Sequence, residues 1–152
     1  MNQKGITLFE LITVFVIIAL GALLVVPGIG AWLPNYRLRS ATRGIVSAMR
    51  DAQMKAVSSN TQYGVAFDAN LGQYQLYYQC SGGLLPIGPL NQLPQGIQLS
   101  SITIPVDPVL NKPFSRFFAD STAVDGNIIL MNTKRFQKTI QLSGTTGRIK
   151  IE

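Results

Sequence analysis

The feature that most constrains this chain is a run without charge. From Leu11 to Leu33 there is no Asp, Glu, Lys or Arg. About 23 apolar and small residues in succession can cross a bilayer as a helix. A carboxylate, Glu10, stands immediately before the run. A carboxylate in hydrocarbon costs ~2.5–3.5 kcal/mol at mid-helix and less near the helix end. Glu10 therefore asks for something that offsets it. The roughly 118 residues beyond the run are enough for one small domain.

Three readings of residues 1–35 compete. A secretory signal peptide would use Lys4 as its basic start and Gly28-Ile29-Gly30 as small residues before a cut at Ala31. The apolar run is long for that, and Glu10 is misplaced. An uncleaved signal anchor explains the length and leaves Glu10 unexplained. The third reading rests on the stretch KGITLFELITV. It resembles the class III leader of type IV pilins and type II secretion pseudopilins.

In that family a prepilin peptidase cuts after a glycine, the new amino terminus is methylated, and the fifth mature residue is glutamate. The resemblance implies a cut between Gly5 and Ile6, N-methylation of Ile6, and an assembly role for Glu10. The family usually begins its mature chain with Phe; Ile6 departs from that and stays apolar. Pro27 falls where the family commonly places a helix-distorting proline. A carboxylate near a helix N-terminus is favoured by the macrodipole. An amine and a carboxylate attract more strongly in low dielectric than in water. The family's glutamate reaches the amine of a neighbouring subunit, so a charge satisfied only by a partner would set register. The local alternative is a contact between Ile6 and Glu10 within one chain.

The charges flanking the run carry a tension. Lys4 lies on the N side, whereas Arg37, Arg39 and Arg43 lie on the C side. The positive-inside rule alone favours the orientation opposite to the one the leader implies, although long domains translocate regardless of charge. The leader puts the N-terminus in the cytoplasm and the domain in the periplasm, a single pass through the bacterial inner membrane.

Past the run, Leu38, Ala41, Ile45, Ala48, Met49, Ala52 and Ala56 recur at three- and four-residue steps and predict one apolar helix face. Asp51 precedes Lys55 by a favourable four residues. Ser58-Ser59-Asn60 ends the helix. Gly28, Gly30 and Pro34 interrupt the region between the two helical stretches, and Pro27 and Pro34 each lack an N–H, so one long helix with kinks or a locally loosened segment is expected. The segment Arg37-Leu38-Arg39-Ser40-Ala41, then Arg50-Asp51-Ala52, Ala56 and Asn60, resembles the GspH/FimT branch of the family. A solvated basic face accounts equally for Arg39, Arg43 and Arg50.

Beyond Asn60 the period changes to two. Residues 62–68 and 73–79 predict a hairpin around the turn 69–72. Strands are further expected in GIQLSSITI, PFSRFF, GNIILM, FQKTIQLS and GRIKIE. The segment 80–95, rich in Gly and Pro, is expected to be a surface loop. The expected fold class is α+β: a long N-terminal helix, apolar then amphipathic, packed on a C-terminal antiparallel β-sheet domain, as in pilins. The expected boundaries are a leader at 1–5, an apolar transmembrane or filament-core helix at 6–34, an amphipathic helix at 35–60 and a β-rich domain at 61–152.

Catalytic signals are absent. The chain has no His. Asp120 to Asp125 lacks the spacing of a Ca²⁺ loop, and CSGG lacks the P-loop lysine. Cys80, the single cysteine, has no candidate base and reads as inert. No cofactor, no metal and no enzymatic activity are expected. Gly147-Arg148-Ile149-Lys150 resembles the C-terminal G-R-x-R of FimT-type minor pilins that take up DNA, with Lys150 in place of Arg. On a strand Arg148 and Lys150 share a face, with Ile149 and Ile151 toward the core. Two cations on one face suit phosphates, and a plain amphipathic strand explains them as well.

The resulting expectation is a non-enzymatic minor pilin or pseudopilin serving secretion or pilus biogenesis. Its partners would be other pilins, the prepilin peptidase and the inner membrane. A DNA-binding minor pilin for uptake, with DNA as partner, and an anchored or secreted binding domain unrelated to filaments are the alternatives.

Overall fold

The computed structural model describes residues 7–152, apart from the side chains of 23–29 and 31. The expected cut between Gly5 and Ile6 lies outside the described residues, as does the side chain of Pro27. The chain divides into two compact units, Met1–Leu33 and Pro34–Glu152. One helix, α1 (Leu8–Ser59), contributes to both. Its backbone is helical without a break through Pro27 and Pro34, the single long helix expected, and the locally loosened segment given as one alternative is not formed. Each proline removes one helical N–H.

In the first unit the described side chains from Leu8 to Ala22 are all exposed. Phe9 is 80% and Ile17 64% exposed. Among the described residues no helix is long and apolar enough to cross a membrane; the expected span at 6–34 includes side chains outside the described set.

In the second unit α1 becomes one-sided. Ile45, Met49, Ala52 and Ala56 are fully buried, on the face the three-and-four spacing predicts. Thr42 joins that face at no polar cost, because its hydroxyl donates to the Leu38 carbonyl at 2.8 Å. The helix ends on Asn60, which takes the left-handed conformation at φ 49°. The Thr61 N–H then reaches back to the Ala56 carbonyl at 3.2 Å, a Schellman closure that uses up a terminal carbonyl.

Nine strands follow: β1 (Tyr63–Asp68), β2 (Gln73–Cys80), β3 (Gly83–Gln92), β4 (Ile97–Ile102), β5 (Val106–Asp107), β6 (Lys112–Phe117), β7 (Gly126–Asn132), β8 (Gln137–Leu142) and β9 (Ile149–Ile151). They form two antiparallel sheets where one was expected. The first has the order β3-β2-β1-β6-β5 and the second β4-β7-β8-β9. In chain order the strands change sheet between β3 and β4, between β4 and β5 at Thr103–Pro105, and between β6 and β7. The Thr103–Pro105 crossing is the shortest of them. There Ile104 is buried and Gly126 lies so near that a Cβ on it would sit 2.6 Å from Ile104 Cγ1. Val65 and Phe67 from the first sheet and Ile128, Leu130 and Ile140 from the second meet the apolar face of α1 in one core.

The segment 80–95 is not the loop its composition predicts. Residues 83–92 are β3, paired with β2. Pro86 and Pro89 are tolerated because β3 is an edge strand, where a residue without an N–H costs no ladder bond on its open side. On the outer face of the first sheet, the Phe114 ring lies over Gly64, where an added Cβ would collide with Phe114 Cζ. Tyr77 packs edge-on to that ring at 6.4 Å and the Arg116 guanidinium lies 5.5 Å from its centroid. Arg116 also pairs with the buried Asp107. The Asp107 carboxylate takes the N–H groups of Val109 and Leu110 at 2.8 and 3.1 Å, which fixes the β5–β6 turn.

Candidate functional site

Glu10 sits in the first turn of α1. Thr7 caps that turn: its hydroxyl accepts the Glu10 N–H at 3.3 Å. The T-x-x-E spacing is the sequence signature of a capping box. Such a box would consume the Glu10 carboxylate on the Thr7 N–H. That reciprocal bond is not formed, and the carboxylate is exposed and without a partner among the described residues. The helix start is thus supported by Thr7, whose role the sequence reading missed.

The C-terminal strand carries the other expected residues. Arg148 and Lys150 are both exposed and line one open hollow of about 620 Å³ on the outer face of the second sheet. Asp125 lines the same hollow, and Lys150 is paired with Glu152 at 2.6 Å. The Glu152 carboxylate also accepts from Gln141 at 3.0 Å. The hollow is therefore of mixed charge. Ile149 is half-buried as expected, whereas Ile151 departs from the expected inward direction and is 41% exposed. β9 is the end strand of its sheet, so nothing beyond it closes over that side chain.

Gly147, the first residue of the expected motif, has a structural reason to be glycine. Its φ is 58°, and a Cβ would collide with the Ser121 carbonyl oxygen. Its own carbonyl accepts Gln53 Nε2 at 3.2 Å, which ties the approach to β9 to the last turns of α1.

A second basic surface is formed by residues far apart in sequence. Arg39 and Arg43 of α1, Lys138 of β8 and Ile151 of β9 line a groove of about 320 Å³ with Thr42. No acid lines it. Among the described residues no group of three His, Cys, Asp or Glu side chains converges on a common point.

No protein-family profile matches the chain, and no curated protein matches its sequence. Solved structures do match. The minor pseudopilin EpsH of the Vibrio cholerae type 2 secretion system superposes with a TM-score of 0.64 at 10% identity, over 76% of this chain and 96% of that one. The fold is the GspH/FimT-like pilin fold. E. coli GspH matches with a TM-score of 0.62 at 16% identity, over 78% of this chain and 89% of that one. The Pseudomonas aeruginosa type IV minor pilin FimU gives 0.60 at 14% identity, over 78% and 90%. Both a secretion system and a type IV pilus thus contribute subunits of this shape.

Proposed function

We propose that this protein is a non-enzymatic minor pilin or pseudopilin. Its leader, residues 1–5, is removed between Gly5 and Ile6, and Ile6 is then N-methylated. The apolar half of α1 resides in the inner membrane with the β-rich domain in the periplasm, and then packs among the helices of other subunits in a filament. Glu10 meets the amine of a neighbouring subunit, and Pro27 distorts the helix.

The observation that carries this reading is the Glu10 carboxylate, without a partner among the described residues, at the head of an apolar helix attached to a domain with a pilin fold. An exposed acid costs nothing in water. In hydrocarbon or a filament core it needs a cation, and the cleaved amino terminus supplies one. The described apolar side chains from Leu8 to Ala22 are exposed, which suits a helix whose neighbours are lipid or other subunits.

The test is mass spectrometry of the mature chain. The expected terminus is a methylated Ile6. A chain that begins at Ala31, or that keeps Met1, sinks the proposal.

A further inference from the structure

Arg39 and Arg43 lie one helical turn apart on α1, and Lys138 approaches the same groove from β8. None of the three forms a hydrogen bond or ion pair through its side chain with a described residue. Lys55, Lys112, Arg116 and Lys150 form ion pairs with Asp51, Asp68, Asp107 and Glu152, which engages four of the acids. A second copy of this chain, itself at net charge +6, therefore offers little to neutralise the groove. Three cations in one groove with no acid suit an oxyanion that arrives from outside. Arginine forks match phosphate geometry.

Two further observations narrow the source. The exposed Ile151 side chain lines the groove beside the cations, so the surface is amphipathic: it can contact hydrocarbon or glycerol as well as phosphate. The arginines also follow the end of the apolar run closely, at Arg39 and Arg43 after Leu33, on the side where the positive-inside rule does not call for them. Basic residues beside an apolar helix attract anionic lipid headgroups.

We propose that the groove between α1 and the β8–β9 edge binds the phosphodiester headgroup of an anionic lipid. This rests on the membrane residence proposed above and on no other part of that reading. The headgroup phosphate lies between Arg39, Arg43 and Lys138, with Ile151 against the glycerol. The groove would hold the domain against the membrane surface before the subunit is drawn into a filament.

The full-length chain in a mild detergent, offered phosphatidylglycerol and phosphatidylcholine in equal amounts, tests this by native mass spectrometry. Retention of phosphatidylglycerol is expected to exceed that of phosphatidylcholine. The preference should fall about five-fold for each of Arg39→Gln, Arg43→Gln and Lys138→Gln, the factor corresponding to about 1 kcal/mol per cation at an anionic surface. Arg50→Gln removes the same charge from an exposed position of the same helix outside the groove and should keep the preference. Should Arg39→Gln or Lys138→Gln fold poorly, the exposed change Arg43→Gln against Arg50→Gln decides the matter. Equal retention of both lipids by the wild type overturns the proposal. So does an equal loss in Arg43→Gln and Arg50→Gln, which would reduce the effect to net charge. Displacement of the lipid by inorganic phosphate or by duplex DNA would also overturn it, by making the occupant a soluble anion. A methylated Ile6 together with no lipid preference sinks the groove and leaves the filament reading intact; the reverse result does the opposite.

Discussion

The two stretches of α1 on either side of Leu33/Pro34 share one backbone conformation and owe it to different surroundings. From Pro34 onward the helix is one-sided and its apolar face is spent on the domain core, with Ile45, Met49, Ala52 and Ala56 fully buried. From Leu8 to Ala22 every side chain is open, including Phe15 and Ile18 at 63% and 60% exposure. An isolated helix gains little stability in water from propensity alone. The second stretch takes its stability from tertiary packing inside the chain, whereas the first has to find it elsewhere. Secondary structure is thus the same while the missing partner differs, and that difference is where function enters.

The largest expected effect comes from one charge placed in each stretch. Met49→Asp puts an unpaired carboxylate into the core and should cost about 4 kcal/mol or more, enough to abolish the cooperative melt of the domain by circular dichroism. Ile17→Asp should leave that melt within about 0.5 kcal/mol of the wild type. Its expected effect is on membrane retention, at ~2.5–3.5 kcal/mol of insertion free energy. A domain that unfolds with Ile17→Asp would show that the first stretch does have an internal partner.

Glu10→Ala acts on the same stretch from its end. Processing should continue, and co-purification with partner pilins should fall about ten-fold or more, the scale set by truncating one member of a desolvated charge pair. Undiminished co-assembly would reduce Glu10 to a local contact at the helix start.

Legibility in the sequence followed the same division. The core face of α1 could be read from Leu38 to Ala56 because burial there has a helical period. Six of the nine strands could be read from alternation, and β9 with them although only in part. What failed has physical causes. β3 was hidden because Pro86 and Pro89 look like loop residues until the strand is known to be an edge. β5, at two residues, is too short to show any period. The split into two sheets rests on pairings between strands distant in sequence, β1 with β6 and β4 with β7, which no local pattern encodes. At the candidate sites, Glu10 was visible through its offsets from Gly5. Lys138 was not visible, since only the fold brings β8 beside Arg39 and Arg43. Thr7 does carry a signal, the T-x-x-E spacing, which the pull of Glu10 toward assembly obscures.

Gly147→Ala separates fold from function at the C-terminal strand. The glycine looked like part of a recognition motif, and the structure gives it a backbone role at φ 58° beside the Ser121 carbonyl. A loss of about 3 kcal/mol is expected from the left-handed strain and the contact together, read as a lowered thermal midpoint. Arg148→Ala, at an exposed position, should move the midpoint within about 0.5 kcal/mol. Equal midpoints for Gly147→Ala and Arg148→Ala would break the structural reading of the glycine.

The smallest effect is electrostatic and belongs wholly to the domain. Lys112 Nζ lies 2.9 Å from Asp68 Oδ2 and joins the start of β6 to the end of β1. The hydrogen bond from Lys112, and next the Leu71 N–H, hold the Asp68 carboxyl below its usual range. The hydrogen bond to Asp68 raises the Lys112 ammonium above its own. A depressed carboxyl stabilises the fold above its unfolded pKa, about 3.9, and loses that contribution as pH falls through the lower folded value. A raised ammonium stabilises below its unfolded pKa, about 10.4, and loses that contribution as pH rises through the higher folded value. The pair therefore contributes across the neutral range and fades at both extremes. Lys112 is 44% exposed in its side chain and Asp68 17%, so solvent screening limits the contribution to about 0.5 kcal/mol. Lys112→Met should lower the thermal midpoint slightly at neutral pH, and the gap from wild type should close on acidification. The Leu71 N–H still reaches Asp68 in that variant, so part of the acid sensitivity should persist. A gap that widens as pH falls would mean that Lys112 acts through packing against its neighbours and not through Asp68.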